Sequence, residues 1–499
     1  MANLRHGESG GDDGTPRAPL RLTVVARARQ DGRMGHDPER LGWSGPWAWI
    51  ALVLLLALAG CGGAGDDKGD ERKRALTVWI LENQPERIRA TRANVERFEQ
   101  QAPFTVDLVG VGDDQLAGRM ADAARTGRLP DVVQLPMASA HAYAQNGILS
   151  RESAQEVVDR LGEDTFSARA LSLLTDEGTV TAVPSDGWGQ LLIYRRDLFD
   201  KAGLAAPKSL DDVARAARRL HSPKVAGITL STTPTPFTAE TFEHVALATG
   251  CQLLDDSGQI TLASPQCVSA FATYLDLARN FSVRGDQDVD STRDTYFGGR
   301  AAMVFWSPFL LDAMAGLRND AVPSCPQCRA DPAFLARNSG LVGPLRGPGD
   351  EPTQYGTIST WGITTGADVA GAERFVEYMM SEGYERWLAL SPQGKYPVRL
   401  GDRSDPERYV KDWDGLKSGV DRKAPLSRFY SGKSIESFGE GTRSFQRWGF
   451  EQGGAALVGK MLGPEPVAEA LSVAINGDGD ATRAAHRARN GVQRLKASE

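Results

Sequence analysis

The sequence of 499 residues is short of the side chains that build most catalytic centres. It has six histidines, none with ligand-like spacing, and five cysteines. No G-x-S-x-G elbow, H-E-x-x-H helix or P-loop occurs, so the motifs of serine hydrolysis, zinc chemistry and phosphate cradling are missing. No Tyr-Tyr pair is present to suggest iron capture. Positive charge is not in excess: the net charge is -7, which removes nucleic acid from the expected partners. A glycoside hydrolase needs two carboxylates flanking the scissile bond. Acidic residues are plentiful, at 64, yet no such pair stands out at strand ends. Long apolar runs are equally scarce. The one near the start, Trp47 to Gly60, has about 14 residues, and spanning a bilayer takes roughly 20. No short-period repeat is visible.

That apolar run stops at Cys61. Leu58, Ala59, Gly60 and Cys61 read as the lipobox of a bacterial lipoprotein signal. The small residues let a peptidase reach the backbone, and the Cys61 thiol takes the diacylglycerol. A plain secretory signal with a chance cysteine, or a short uncleaved anchor, are the alternatives. Residues 1–60 are thus a disordered lead plus signal peptide, with Met34 as an alternative start. Residues 61–74, Gly-rich and charged, form a flexible tether. The expected location is the outer face of the cytoplasmic membrane, held there by acyl chains. Four cysteines remain, an even number in an exported protein, so disulfides are expected. Three pairings are possible, and proximity favours Cys251 with Cys267 and Cys325 with Cys328. Cys325-Pro-Gln-Cys328 also admits a redox or zinc reading, although no second ligand pair stands nearby.

Composition is that of an ordinary globular protein, 41% hydrophobic and 24% charged, and the length allows two or three domains. From Ala75 the pattern alternates. Strands are expected at Ala75–Leu81, Phe104–Val111 and Val132–Leu135, with helices at Pro85–Gln101, Gln115–Thr126 and Ala138–Asn146. This argues for an α/β layer with a largely parallel sheet. Beyond Thr179 come strands at Thr179–Pro184, Gly187–Tyr194, Ala226–Leu230, Ala301–Trp306 and Ser359–Thr364. Helices are expected at Leu210–Leu220, with Ser209 as N-cap, and at Phe237–Thr249, Pro265–Arg279 and Gly371–Leu390. Two α/β regions result, and the chain passes between them more than once.

Several stretches, in order, resemble the family 1 (carbohydrate-binding) extracellular solute-binding proteins of ABC importers. GRLPDVVQLPMASAHAYAQNGIL is similar to the family's G-x-x-P-D-[IV]-[IV] strand and its helix. VPSDGWGQLLIYRRDLFDKAGLAAPKSLDDVARAARRL resembles its first crossover strand and the P-x-[TS]-[WL]-[DE]-[DE] helix. FGGRAAMVFWSPF resembles the F-x-x-G-x-A-A-M strand. WGITTGADVAGAERFVEYMMSEGYERWLALSPQGKYPVR resembles the returning strand, a helix and a G-x-x-P-x-[KR] loop. The resemblance implies a two-lobed periplasmic-binding-protein-like α/β fold, with crossover strands and a ligand cleft between the lobes. The first lobe would be 75–184 with 361–400, and the second 185–360 with 401–499.

The resemblance implies binding without chemistry, with no cofactor and no metal. A monomer would deliver a sugar or oligosaccharide to a membrane permease. A polyamine or other small polar solute is the alternative within binding, and a lipid-anchored glycoside hydrolase the one outside it. Aromatic rings would cover sugar faces, and polar side chains would bond the hydroxyls. The implied ligand residues sit at cleft-facing strand ends. They are Glu82, Asn83 and Gln84 after the first strand, and Met137 and Ser139 after the third, with His141 beside them. Asp186 and Trp188 lie at the first crossover. Trp306, Ser307 and Phe309 follow the AAMVF strand, Trp361 lies in the returning crossover, and Tyr396 and Arg399 follow the long helix. Trp79, Trp387, Trp413 and Trp448 read as packing residues.

Overall fold

The computed structural model describes residues 74–497 apart from 83, 349, 350 and 478. The lead, the signal peptide, Cys61, nearly all of the tether and Asn83 lie outside the described residues. A six-stranded sheet begins with β1 (Arg74–Ile80), β2 (Phe104–Gly110) and β3 (Val132–Pro136). β1 pairs with β2 in parallel from Arg74↔Phe104 to Ile80↔Gly110, and with β3 at Val78↔Val132. Leu76, Val78 and Ile80 are fully buried, as β-branched and long apolar side chains at alternate positions require. Helix α1 (Pro85–Gln101) starts on a proline, whose fixed φ suits a first turn. Its buried Phe98 meets Phe375 edge-on at 5.3 Å. α2 (Asp113–Thr126) and α3 (Met137–Gln145) complete the alternation.

Strand β4 (Val183–Gly189) is the first crossover, and β5 (Leu191–Arg195) follows after the single residue Gln190. β5 opens a second sheet, flanked by β6 (Met303–Trp306) and β7 (Ser339–Val342), both antiparallel to it. β8 (Gly356–Ile363) then returns to the first sheet between β3 and β4, antiparallel to both, and β9 (Tyr396–Pro397) closes its edge. The expected strand at 226–230 is reduced to isolated bridges, Ala226↔Ala301 and Thr229↔Val304. Gly227 explains part of this, because its backbone lies against Ala217: a Cβ there would sit 2.0 Å from the Ala217 carbonyl oxygen.

Beside the second sheet lie α4 (Leu210–Leu220), α5 (Pro236–Ala248) and α6 (Pro265–Asn280). Ser209 caps α4 as expected. Its Oγ accepts from the Asp212 amide at 3.2 Å, and Asp212 accepts the Ser209 amide at 3.0 Å. Such a cap contributes about 1 kcal/mol. Cys251 is joined to Cys267 and Cys325 to Cys328, the pairing that proximity favoured, and all four are buried. A disulfide at Cys325–Cys328 leaves no thiolate pair for zinc.

Chain beyond 400 divides in two. Trp413 donates to the Pro392 carbonyl at 2.9 Å, Tyr409 packs on Tyr384, and α7 (Gly432–Ser444) lies on β4, β8 and β9. This part was expected with the second lobe but packs on the first sheet, because Trp413 and Tyr409 find their apolar partners there. α8 (Ala455–Met461) packs on α3, while α9 (Pro466–Asn476) and α10 (Ala481–Lys496) cover α6. At the seam between the sheets three passages of chain are stitched together. Gln190 donates its amide to the Tyr355 carbonyl at 2.8 Å, the Gln354 side chain donates to the Gln190 carbonyl at 2.8 Å, and the Gln446 amide donates to the Gln354 carbonyl at 2.9 Å. Gly189 and Gly343 crowd the Gln354 side chain, which a Cβ at either would strike within 2.8 Å.

Candidate functional site

Glu82, just past β1, Asp186 in β4 and Lys395, just before β9, come together. Where β1 ends, Glu82 is 5% exposed and lies between two cations, Lys395 at 3.3 Å and Arg87 at 3.4 Å. Lys395 lies 3.9 Å from Asp186 and 4.0 Å from the centre of the Trp387 ring. Asp186 accepts from Trp387 Nε1 at 2.6 Å and from Ser185 Oγ at 2.8 Å. Three separate pieces of chain are thereby tied in one buried ionic knot. Its charges are matched, as burial demands.

Arg87 reaches on from the knot. It donates to Ser391 Oγ at 3.0 Å, and its guanidinium stands 6.0 Å from the centre of the Phe309 ring. Phe309, just beyond β6, lies flat on Gly394, where a Cβ would come within 2.4 Å of the ring. A glycine is therefore required for the two sheets' loops to meet. Close by are buried polar atoms with no partner among the described residues: Gln84 Oε1, Arg87 Nε, Gln393 Oε1 and both oxygens of Asp312. Burial pushes the Asp312 carboxyl above its ordinary range, with Arg318 and Arg87 pulling it back. A buried polar group left unmade costs about 1–3 kcal/mol, so the oxygens of Gln84, Gln393 and Asp312 favour a guest that donates, and Arg87 Nε one that also accepts.

Aromatic faces line the remainder. Phe237, at the start of α5, packs on Trp306 with centroids 4.5 Å apart, and Trp188 packs on Tyr355 at 5.8 Å. Trp188, Phe237 and Phe309 are half-buried, leaving part of each ring uncovered. Glu240, one turn into α5, hydrogen-bonds Tyr355, and burial pushes its carboxyl up to about 7. Arg447 stands 4.7 Å from the Tyr355 ring centre and pairs with Glu243 at 2.9 Å.

The sequence candidates therefore separate. Glu82, Gln84, Asp186 and Phe309 lie in or beside the knot, while Trp188 and Trp306 carry the aromatic faces. Trp361 lies apart from them: it is fully buried, its ring tilted 55° against Trp387 at 5.0 Å in the core of the first sheet. β8 turns that side chain inward because its neighbours there are Trp387 and Phe375. Met137 is fully buried too, in the cluster with Leu135, Leu149 and Met120. Ser139 is buried on the same helix, and His141 donates Nε2–H to the Leu173 carbonyl at 2.8 Å, its imidazole held below the usual range by burial. Arg399 is buried and bonded within the first sheet's surroundings. Its guanidinium binds the Leu161 and Met380 carbonyls and Thr165 Oγ1, and so caps chain ends inside the first lobe region. Tyr396 is buried against Trp413. Arg87, Asp312, Gln393, Lys395, Phe237 and Glu240 were missed. Lys395 stands inside the G-x-x-P-x-[KR] stretch and Asp312 three residues past Phe309, so adjacency was the available signal.

This arrangement, two sheets joined by crossover strands over a polar and aromatic seam, is the α/β periplasmic-binding-protein fold. The chain belongs to the bacterial extracellular solute-binding protein family, whose model matches residues 83–386, more than half of it. Members bind solutes and do not turn them over. Among relatives, a putative ABC transporter periplasmic-binding protein of Escherichia coli K12, YcjN, is 28% identical over 358 residues, covering 70% of this chain and 78% of that protein. Solved structures share the fold. A solute-binding protein of Thermotoga lettingae bound with α-D-tagatose has a TM-score of 0.66 at 19% identity, covering 85% of this chain and 99% of its own. Maltose-bound MalE3 of T. maritima has 0.64 at 17%, covering 84% and 99%. The GacH receptor of Streptomyces glaucescens, solved unliganded and with acarbose, has 0.65 at 19%, covering 85% and 98%. Among the described residues no helix is long and apolar enough to cross a membrane.

Proposed function

We propose that this protein is the lipid-anchored receptor of an ABC importer and captures a sugar or oligosaccharide at the seam between its sheets. The observation that carries the reading is the set of buried acceptors, Asp312, Gln84 and Gln393, near the half-covered ring of Phe309, in a chain whose Trp188 and Phe237 rings are also half-covered. A sugar offers donating hydroxyls to the first and C–H faces to the second. The tagatose, maltose and acarbose held by the fold's neighbours support it. A polyamine would need several free carboxylates, and of those gathered here Glu82 and Asp186 are already neutralised by Lys395 and Arg87, which leaves Asp312 alone. The two lobes meet near 184–191 and 355–361, with 401–445 assigned to the first and 466–497 to the second. The lobes close about these crossovers when the solute enters. Cys61 carries the acyl chains, and the permease takes the loaded form.

Calorimetric titration of the chain from Cys61 onward with a panel of neutral sugars, uronates and polyamines tests this. A neutral sugar is expected to saturate one site and raise the melting temperature, by about 2.7 kcal/mol of added stability at a hundredfold excess over Kd. Binding confined to polyamines, or release of smaller products on incubation, overturns it. Radiolabelled palmitate should enter the native chain and be lost in Cys61→Ser.

A further inference from the structure

The last helix is unlike the rest of the molecule. In a chain with a net charge of -7, α10 carries Arg483, Arg487, Arg489, Arg494 and Lys496 and no acidic residue. Its inner face is Ala484, Ala485, Ala488, Gly491 and Val492, all buried, so the small side chains fix which way the helix faces. Arg483, Arg487, Asn490 and Arg494 then fall on one exposed stripe at helical spacing. With α9 they wall an open groove of about 630 Å³. Its rim includes Val473, 45% exposed, and its acidic lining residue is Glu469. Arg483 is paired with Asp480 at 3.2 Å, whereas Arg487 and Arg494 have no ion-pair partner among the described residues. Two free guanidiniums over a shallow groove match phosphodiester headgroups, which take bidentate donors.

We propose that the exposed stripe of α10 docks on an anionic phospholipid surface and sets the orientation of the receptor on its membrane. The contact itself is weak, since each basic side chain near an anionic surface is worth about fivefold in partitioning. It is effective through proximity. An acyl anchor at Cys61 would keep the whole chain at the surface, so that even a weak contact is populated. The inference uses the anchor of the preceding section for its physiological setting, but the groove and its charges stand without it.

The test uses the chain from residue 61 carrying Cys61→Ser, so that no acyl chain contributes, in co-sedimentation with lipid vesicles. Partitioning onto phosphatidylglycerol-rich vesicles should exceed that onto pure phosphatidylcholine at least fivefold and be lost at high salt. Arg487→Glu with Arg494→Glu should lower it at least tenfold at unchanged melting temperature, with Arg487→Gln and Arg494→Gln as the fallback pair if the reversal unfolds. Arg219→Glu, on the exposed face of α4, should leave it unchanged. Equal partitioning onto the two vesicle types, or wild-type binding by the folded double variant, overturns the proposal. Failure of palmitate labelling at Cys61 would instead count against the anchor alone.

Discussion

Replacing Lys395 by methionine keeps the stem and removes the one charge that Glu82 and Asp186 share. At an effective dielectric of about 20, ammonium–carboxylate distances of 3.3 and 3.9 Å correspond to gross attractions of about 5 and about 4 kcal/mol. Removal of the buried ammonium also ends its desolvation cost, so the net loss is smaller, about 3–5 kcal/mol, the usual result of stripping one partner from a buried pair. The cation over the Trp387 ring, at 4.0 Å, disappears with it. Urea unfolding followed by tryptophan fluorescence would read this as a lower midpoint at unchanged slope. A second variant separates charge from packing. In Asp186→Asn with Lys395→Met, the amide oxygen still accepts from Trp387 and Ser185, as Asp186 Oδ1 does now. That pair should therefore recover at least about 1 kcal/mol over Lys395→Met alone. A loss below about 1 kcal/mol in the single variant, or simple additivity in the double, would refute a shared buried cation.

Phe309→Ala should weaken the sugar by about 1–3 kcal/mol in calorimetry while costing little stability, since the ring is half-buried. Trp361→Ala should do the reverse, losing about 3–5 kcal/mol of stability from a filled core with little change in Kd. Glu240 supplies a pH dependence. Its folded carboxyl titrates at about 7 against 4.5 ordinarily, because burial disfavours the charged form. The folded chain holds that proton after the unfolded chain has released it, so stability falls as pH rises through this window, by up to about 3 kcal/mol from this group. Urea midpoints at about pH 5 and about pH 8 should differ less in Glu240→Gln than in the native chain. Removing the Cys251–Cys267 bridge by a double alanine substitution, which opens a loop with a sequence separation of 16, should cost about 3 kcal/mol.

Much of the layout was legible because alternation carries it. β1 and β2 show period-two burial and β3 a continuous buried run, all between helices, and Ser209 with Asp212 spells a capping box. The disulfide pairing followed from proximity. What was hidden lies in side-chain direction and long-range partners. Trp361 and Trp188 both sit in crossover strands, yet one points at Trp387 and the other at Tyr355, and only the pleat of the assembled sheet decides which. Arg399 was a candidate because it closes the G-x-x-P-x-[KR] stretch, but its carbonyl partners come from as far back as Leu161. The first stretch of the tail, 401–445, packs on the first sheet and not with the second for the same reason, since nothing local tells Trp413 which core it will enter. Lys395 and Asp312 matter through neighbours more than a hundred residues away, which spacing along the chain does not register.

The stitching at Gln354 has a mechanical consequence. A single covalent thread between two bodies works as a swivel, free to twist and bend. Three threads running side by side and bonded to one another, at Gln190, Gln354 and Gln446, work as a door hinge with one permitted swing. Arrival of a guest would then be converted into the same single rotation each time, so the face shown to whatever waits downstream is defined by the joint and not by the shape of the cargo.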